Sequence, residues 1–311
     1  MRALITGGAG FIGSHIVERL VQAGVELLVV DNLSSGHALF VPTGVKLVQQ
    51  SVTSPDLEAV FATFRPDYVF HLAAQIDVAK SMQHPIEDAE SNIVGTVNVL
   101  QCCHKLGVRK LIFSSSCAVY GDTGDTLIPE TCGTRPLSFY GLSKYVSERY
   151  ILLYHHLYKL PYTILRYANV YGPRQAVKGE GGVISIFLRH LLHGEPLRIY
   201  GDGSQTRDFI YAKDVAAANL LCLDKGDNRI LNIGSSRATP IHQLAAIVRA
   251  FQPESSPLTY GPERPGEIQY SVLDHTEAMH ALGWTPQFSL EEGLKETLDF
   301  YKGEERGVWK S

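Results

Sequence analysis

In the run FYGLSKY, Tyr140 and Lys144 stand four residues apart, a spacing that on a helix places both side chains on one face. A phenol that titrates near ~10 is a poor base at neutral pH, but an adjacent ammonium favours its phenolate form. Tyr140 is therefore a candidate to take a proton from a substrate hydroxyl, with Lys144 beside it. The same pair of residues also arises by chance on solvated helices, so it needs partners. One is the run FSSSCAVYG, whose serines fall at the carboxyl end of an apolar strand, the edge where an open parallel sheet places its ligands. Ser116 is the candidate to share a hydrogen bond with the reacting hydroxyl, and Ser114 faces a cofactor. Three consecutive serines can alternatively cap a loop.

The cofactor is suggested at the N-terminus. Gly7, Gly10 and Gly13 form G-x-x-G-x-x-G between a strand and a helix, a turn in which backbone N–H groups and the helix N-terminus can approach a pyrophosphate. Asp31 ends the next strand 18 residues after Gly13, where a carboxylate can accept hydrogen bonds from ribose hydroxyls. It would repel a 2′-phosphate, and the following NLSSG offers no arginine to receive one, so NAD is favoured over NADP. Asp31 as a helix cap is the alternative. A positively charged nicotinamide ring would further favour the Tyr140 phenolate, and Lys144 can also hold the nicotinamide ribose.

These residues require a scaffold that brings several strand ends together. RALIT, the helical run FIGSHIVERLVQAG and VELLVVD make one βαβ unit. The alternation continues through VKLVQQ, a helix from about Pro55, DYVFHLAA, a long helix through NIVGTVNVLQCCHKLG, VRKLIFSSS, a helix after Tyr140, and YTILRY. Strands this apolar fit a parallel sheet covered on both faces. The predicted fold class is α/β: a doubly wound parallel sheet, of Rossmann type, with a smaller loop-rich α/β lobe for the substrate. Residues 1–168 form the cofactor domain and 169–311 the substrate lobe, with 212–234 packing back on the sheet. Repeats, low-complexity tracts and flexible linkers are not apparent.

Composition narrows the partners. The chain has 311 residues, 45% of them hydrophobic, and a net charge of -4, which gives no electrostatic case for nucleic acid or an anionic membrane. An anionic substrate must be met by a few placed arginines. Five cysteines without paired spacing suggest a reducing compartment, with the cytoplasm as the default. The N-terminus carries no signal-peptide pattern, and no apolar run reaches the ~18 residues of a membrane span. The twelve histidines make no HxxxH or HExxH pattern, so no metal is expected. Cys117, beside Ser116, is a candidate for alkylation.

The chain resembles an extended short-chain dehydrogenase/reductase of the NAD-dependent epimerase/dehydratase family, most of all the UDP-glucose 4-epimerases. The resemblance rests on GGAGFIGSH, DNLSSG, HLAAQ, SSSCAVYG, YGLSK, RYANVYGPRQ, GDGSQTRDFIY and RPGE and spans essentially the whole chain. It implies that Phe11 and Ile12 support the pyrophosphate turn and that Asp31 and Asn32 serve the adenosine. Leu72, Ala73 and Ala74 would line the cofactor channel, with Tyr167 near the nicotinamide, and Ser35, Gly36, Ser51, Val52, Gln75 and Val170 would also belong to the cofactor site. Asn169 would contact the substrate phosphate, Arg207 and Arg264 would clamp a UDP pyrophosphate, and Tyr200 would pack near the uridine, with Val183 and Glu267 completing the site. Read alone, each arginine is more often a surface charge. The resemblance also implies a homodimer through helices at 85–106 and 138–159.

Two departures from the family pattern concern the cofactor. Ser51 and Val52 stand where relatives carry an acidic residue for the adenine amino group, and Ile76 follows Gln75 where many carry a lysine. Related 4,6-dehydratases need an Asp-Glu pair after the serine or threonine; here Cys117 and Ala118 fill those positions. Related decarboxylases likewise carry a glutamate at the second of them. What the resemblance then implies is proton and hydride transfer alone: Tyr140 takes the C4 hydroxyl proton as C4 passes hydride to tightly bound NAD, and the 4-keto sugar turns over and is reduced on its other face. Ser271, four residues after Glu267, stands where a tyrosine would restrict the enzyme to UDP-glucose and UDP-galactose, so UDP-GlcNAc and UDP-GalNAc are expected to be accepted too. Ser271 as an ordinary loop residue remains the alternative. Competing readings are another NAD-dependent nucleotide-sugar epimerase or dehydrogenase, and a catalytically silent NAD-binding regulatory protein.

Overall fold

The architecture follows from short apolar strands that must be covered on both faces. In the computed structural model, which describes residues 1–124, 126–176, 182–252, 256–263 and 268–305, these are β1 (Arg2–Thr6), β2 (Glu26–Asp31), β3 (Lys46–Gln49), β4 (Tyr68–His71), β5 (Lys110–Ser116) and β6 (Tyr162–Tyr167). With Arg229–Ile233 they form a seven-stranded sheet in which β1 lies between β2 and β4, β3 is one edge and Arg229–Ile233, beyond β6, is the other. Every pairing in it is parallel. The expected doubly wound parallel sheet is present.

Alternation along the strands divides the core in two. Ile5, Val29, Phe70, Ile112 and Leu165 enter one apolar cluster, while their neighbours Leu4, Leu28, Val69, Leu111 and Ile164 enter the other, because successive side chains of a strand point to opposite faces. Helix α1 (Phe11–Gln22) covers the first face and meets Ala212–Leu221 there. Helices α2 (Leu57–Phe64), α5 (Gly95–Lys105) and α6 (Phe139–Tyr158) cover the second. The first cluster also takes in Ala278, Leu282 and Trp284, and Trp284 Nε1 donates to the Asp214 carbonyl at 3.0 Å.

The helix expected over 85–106 is interrupted. It follows α3 (Val78–Gln83) as α4 (Pro85–Ala89), a π turn at Glu90–Val94, and α5. The Asn92 carbonyl inside that turn accepts from the hydroxyls of Thr96 at 2.5 Å and Ser147 at 3.0 Å. Side-chain donors at that carbonyl compete with the regular helical ladder, which accounts for the local widening. The remaining chain builds a lobe of short strands with helices Val183–His193, Ile241–Ala250 and Leu290–Glu305 around a third core that includes Tyr171, Phe187, Leu244, Leu298 and Tyr301. Among the described residues no helix is long and apolar enough to cross a membrane.

Candidate active site

The order of the sheet reverses at β1, whose neighbours β2 and β4 lead to opposite edges, and a ligand crevice belongs at the carboxyl ends of strands at such a point. A cleft is found there, lined by Gly7, Gly10, Phe11, Ile12, Gly13, Asp31, Asn32, Ser35, Ser51, Val52, Leu72, Ala73 and Ala74, and farther on by Ser114, Tyr140, Lys144 and Tyr167. The glycines make it possible. Gly7 adopts φ +72°, and a Cβ there would lie 2.7 Å from the Ala73 nitrogen; a Cβ on Gly13 would lie 2.1 Å from the Gly7 carbonyl oxygen. The α1 N-terminus thus enters the cleft with no side chain over its backbone N–H groups, as a pyrophosphate requires.

Asp31 is buried and its carboxylate clamps the turn: Oδ2 accepts from Ala9 N at 3.0 Å and Oδ1 from Leu33 N at 2.8 Å. Each oxygen keeps acceptor capacity for a ribose hydroxyl. The residues present therefore fit a dinucleotide: a bare helix N-terminus, a carboxylate at the end of β2 and an apolar channel along Leu72 and Ala73.

At the far end, Ser138 caps α6 by accepting from Gly141 N at 3.0 Å, which fixes Tyr140 in the first turn of that helix. Its backbone N–H donates to Ser81 Oγ at 3.2 Å. Lys144 is buried; its ammonium donates to the Ser114 carbonyl at 2.9 Å and lies 5.0 Å from the Phe113 ring centroid. Burial lowers the Lys144 pKa to about 8, opposed by the Asp88 and Glu148 carboxylates. Tyr167 bonds Ser114 Oγ at 3.0 Å and receives Asn219 Nδ2 at 2.8 Å. Burial, countered by those two bonds, pushes its phenol well above the usual range. Of these two cleft tyrosines, Tyr167 is thus fixed as a neutral phenol.

A second cavity of about 630 Å³ opens in the lobe, lined by Asn169, Val170, Val183, Tyr200 and Arg207 together with Gln175, Phe187, His190, Arg198 and Gln205. Its volume suits a drug-sized or nucleotide-sized ligand. Arg207 is aimed by its own Nη1, which donates to the carbonyls of Thr206 at 2.9 Å and Ile268 at 2.8 Å. Asn169 Nδ2 donates to the Asp208 carbonyl at 3.1 Å. Ser271 pairs in register with Arg207, and the Cys117 side chain reaches both the Ser116 and Ser271 hydroxyls.

Several placements differ from the sequence reading. Gln75 does not line the cleft: its side chain turns to Asp88 Oδ1 at 2.9 Å and the Asp77 carbonyl at 3.0 Å, held there by the buried polar residues of α4 and the π turn. Val170 lines the lobe cavity instead of the cofactor cleft, because its strand leaves the main sheet to pair with Phe209–Tyr211. Gly36 supports the cleft from behind, packing on the Ala9 backbone. Ser116 Oγ accepts from Ala118 N at 3.2 Å, so it caps the turn Cys117–Val119. Burial, and next the Asp208 carboxylate, push the Cys117 thiol up, which argues against ready alkylation. Arg264 and Glu267 lie outside the described residues. Ser34, Gln50, Ile76, Ser91 and Ser115 also line the cleft; Ile76 was visible only as a departure, Ser34 and Ser115 only as members of the NLSSG and FSSSCAVYG runs, and Gln50 and Ser91 carry no sequence signature.

A profile of the NAD dependent epimerase/dehydratase family matches residues 3–234, and the chain belongs to that family. It is 38% identical over 310 residues to a UDP-glucose 4-epimerase of Mycolicibacterium smegmatis, covering 97% of this chain and 99% of the relative. Among solved structures it is similar to a UDP-glucose 4-epimerase of Thermotoga maritima with UDP-glucose, at 45% identity and TM-score 0.95, covering 98% of this chain and 99% of the other. It is also similar to a UDP-glucose 4-epimerase of Thermus thermophilus in complex with NAD, at 39% identity and TM-score 0.93, with 97% and 99% covered.

Proposed function

We propose that this enzyme is a UDP-hexose 4-epimerase that retains NAD, interconverting UDP-glucose and UDP-galactose. The observation that carries this reading is the position of Tyr140 and Lys144 at the inner end of the cofactor cleft, in a site with Cys117 and Ala118 where elimination or decarboxylation chemistry would need carboxylates. Bound NAD would supply reversible uptake of the C4 hydrogen with its electron pair. The chain does the rest. Tyr140 takes and returns the C4 hydroxyl proton, the Lys144 ammonium favours its phenolate, and Ser116 donates to the same oxygen. Asn169, Tyr200 and Arg207 hold the nucleotide while the hexose, less tightly held, presents either face. Glu267 and Arg264 are assigned to the same nucleotide site. The test is to incubate the purified protein with UDP-galactose and no added nicotinamide: UDP-glucose forms without net turnover of cofactor. Accumulation of an oxidised sugar in step with added NAD would favour a one-way dehydrogenase.

The substrate range extends to N-acetyl sugars in this proposal, supported by the small Ser271 beside Cys117 and Ser116. Ser271→Tyr is expected to abolish interconversion of UDP-GlcNAc and UDP-GalNAc while sparing UDP-galactose. An equal response of both activities, in a panel of UDP-sugars with product analysis, would remove Ser271 from the specificity pocket.

The working form is proposed to be a homodimer in a reducing compartment such as the cytoplasm. All five cysteines are free. Along α4 to α6, Ile86, Val94, Leu142, Leu153 and Leu157 are exposed, an apolar stripe of the kind that marks an association surface. Leu153→Glu combined with Leu157→Glu should yield a monomer by light scattering; an unchanged dimer would place the contact elsewhere.

A further inference from the structure

Glu148 lies one turn beyond Lys144 on α6 and is 1% exposed. Its carboxylate receives Arg166 Nε at 2.9 Å and Ser115 Oγ at 2.6 Å on Oε1, and Arg166 Nη2 at 2.6 Å on Oε2. A bidentate guanidinium pair fixes the plane of the carboxylate as well as its position. The donors stand at informative places. Ser115 lies between Ser114 and Ser116 on β5, and Arg166 immediately precedes Tyr167 on β6. Because neighbouring strand residues point to opposite sides, the hydroxyls of Ser114 and Ser116 and the Tyr167 phenol are oriented by the same backbone units that Glu148 grips from the other side.

Stability alone explains this arrangement poorly. Taking an ion pair out of water costs about as much as its attraction returns, and apolar replacements of such pairs are often neutral. Here the guanidinium carbon also lies 4.7 Å from the Tyr120 ring centroid, so Arg166 is held between the carboxylate and an aromatic side chain. What the pair does provide is a fixed relation among three elements: the helix of Tyr140 and Lys144, the strand of the serines and the strand of Tyr167.

We propose that Glu148, through Ser115 and Arg166, is a positioning residue for proton transfer at Tyr140. This rests on the epimerase reading above. The charges around the acid/base pair agree with it. Lys144 is faced by Asp88 from α4, by His71 from β4 and by Glu148 on its own helix. Arg166 comes from β6, as does the neutral Tyr167, and the thiol of Cys117 and phenol of Tyr120 come from the segment after β5. Burial, and secondarily Lys144, lower His71 to about 3, so it is uncharged at neutral pH. Burial raises the Cys117 thiol and the Tyr120 phenol. Asp88 and Glu148 are thus the groups that hold the Lys144 proton against burial. Removing the Glu148 charge lowers the Lys144 pKa further, so the ammonium is lost at lower pH.

The test uses the NAD-loaded enzyme with UDP-galactose. Glu148→Gln is expected to keep its NAD content and KM, to lose about tenfold in kcat per bound NAD, and to shift the basic limb of the kcat–pH profile down by roughly one unit. Ser115→Ala removes one of the three bonds and should lower kcat about threefold at unchanged KM, while Ser115→Thr, which keeps the hydroxyl, restores it. If Glu148→Gln does not fold, the serine pair decides: wild-type kcat in Ser115→Ala overturns the proposal, as does any variant set in which only melting temperature or KM changes. Inactivity of the wild-type enzyme toward UDP-galactose would instead be a failure of the proposed function, with these ratios then read on whichever nucleotide-sugar it does turn over.

Discussion

Tyr140→Phe keeps its NAD and interconverts UDP-galactose and UDP-glucose about 10²–10⁴-fold more slowly than the wild-type enzyme. The substitution removes one oxygen and leaves the ring, the helix and the Ser138 cap in place. Tyr167 cannot take over, because its hydroxyl is bound by Ser114 and Asn219 and burial holds its proton. His71 is equally unsuitable: it is buried between the hydroxyls of Thr6 at 2.7 Å and Thr96 at 3.0 Å. Product formation by the variant at the wild-type rate, measured with NAD content matched, would remove Tyr140 from the chemistry and with it the epimerase mechanism. Loss of NAD together with activity would instead assign the residue to cofactor binding.

The second large effect is at the opposite end of the cleft. Gly13→Ala is expected to fold and to bind NAD roughly 10–100-fold more weakly, from a steric cost of about 1–3 kcal/mol. The new methyl group would stand 2.1 Å from the Gly7 carbonyl oxygen and 2.8 Å from Gly8 Cα. Both are backbone atoms of the pyrophosphate turn, so relief requires opening the turn that the cofactor needs closed. The check is the nicotinamide released on denaturing equal amounts of wild-type and variant protein. Wild-type content would mean that α1 can shift outward without disturbing the turn.

Much of this site was legible because its residues are near one another along the chain. Gly7, Gly10 and Gly13 share one turn, and Tyr140 and Lys144 share one helical face. The serines mark the end of one strand, so spacing alone suggested the chemistry proposed for them. Gln75 shows where that reasoning stops. It follows the channel residues directly, yet its amide finds partners on α4 and turns away, a choice made by Asp88 from thirteen residues further on. Val170 likewise follows the strand leading from Tyr167, but its own strand pairs in the lobe. The helix through NIVGTVNVLQCCHKLG was readable from its apolar residues, whereas the π turn at its start depends on Ser147, which belongs to another helix.

By itself the sequence determined the parallel α/β class and the NAD cofactor and marked the proposed acid/base pair, since these depend on apolar runs, glycine positions and charges that act locally. Only the tertiary structure decided which residues face one another across strands. The Ser115–Glu148–Arg166 anchor joins three elements, the lobe cavity gathers Gln175 and Arg198 with Asn169 and Arg207, and Ser147 of α6 reaches the Asn92 carbonyl in the π turn. None of these leaves a periodic trace, because a contact between distant segments is set by sheet order and side-chain packing, and the amino-acid spacing along either segment does not encode the other.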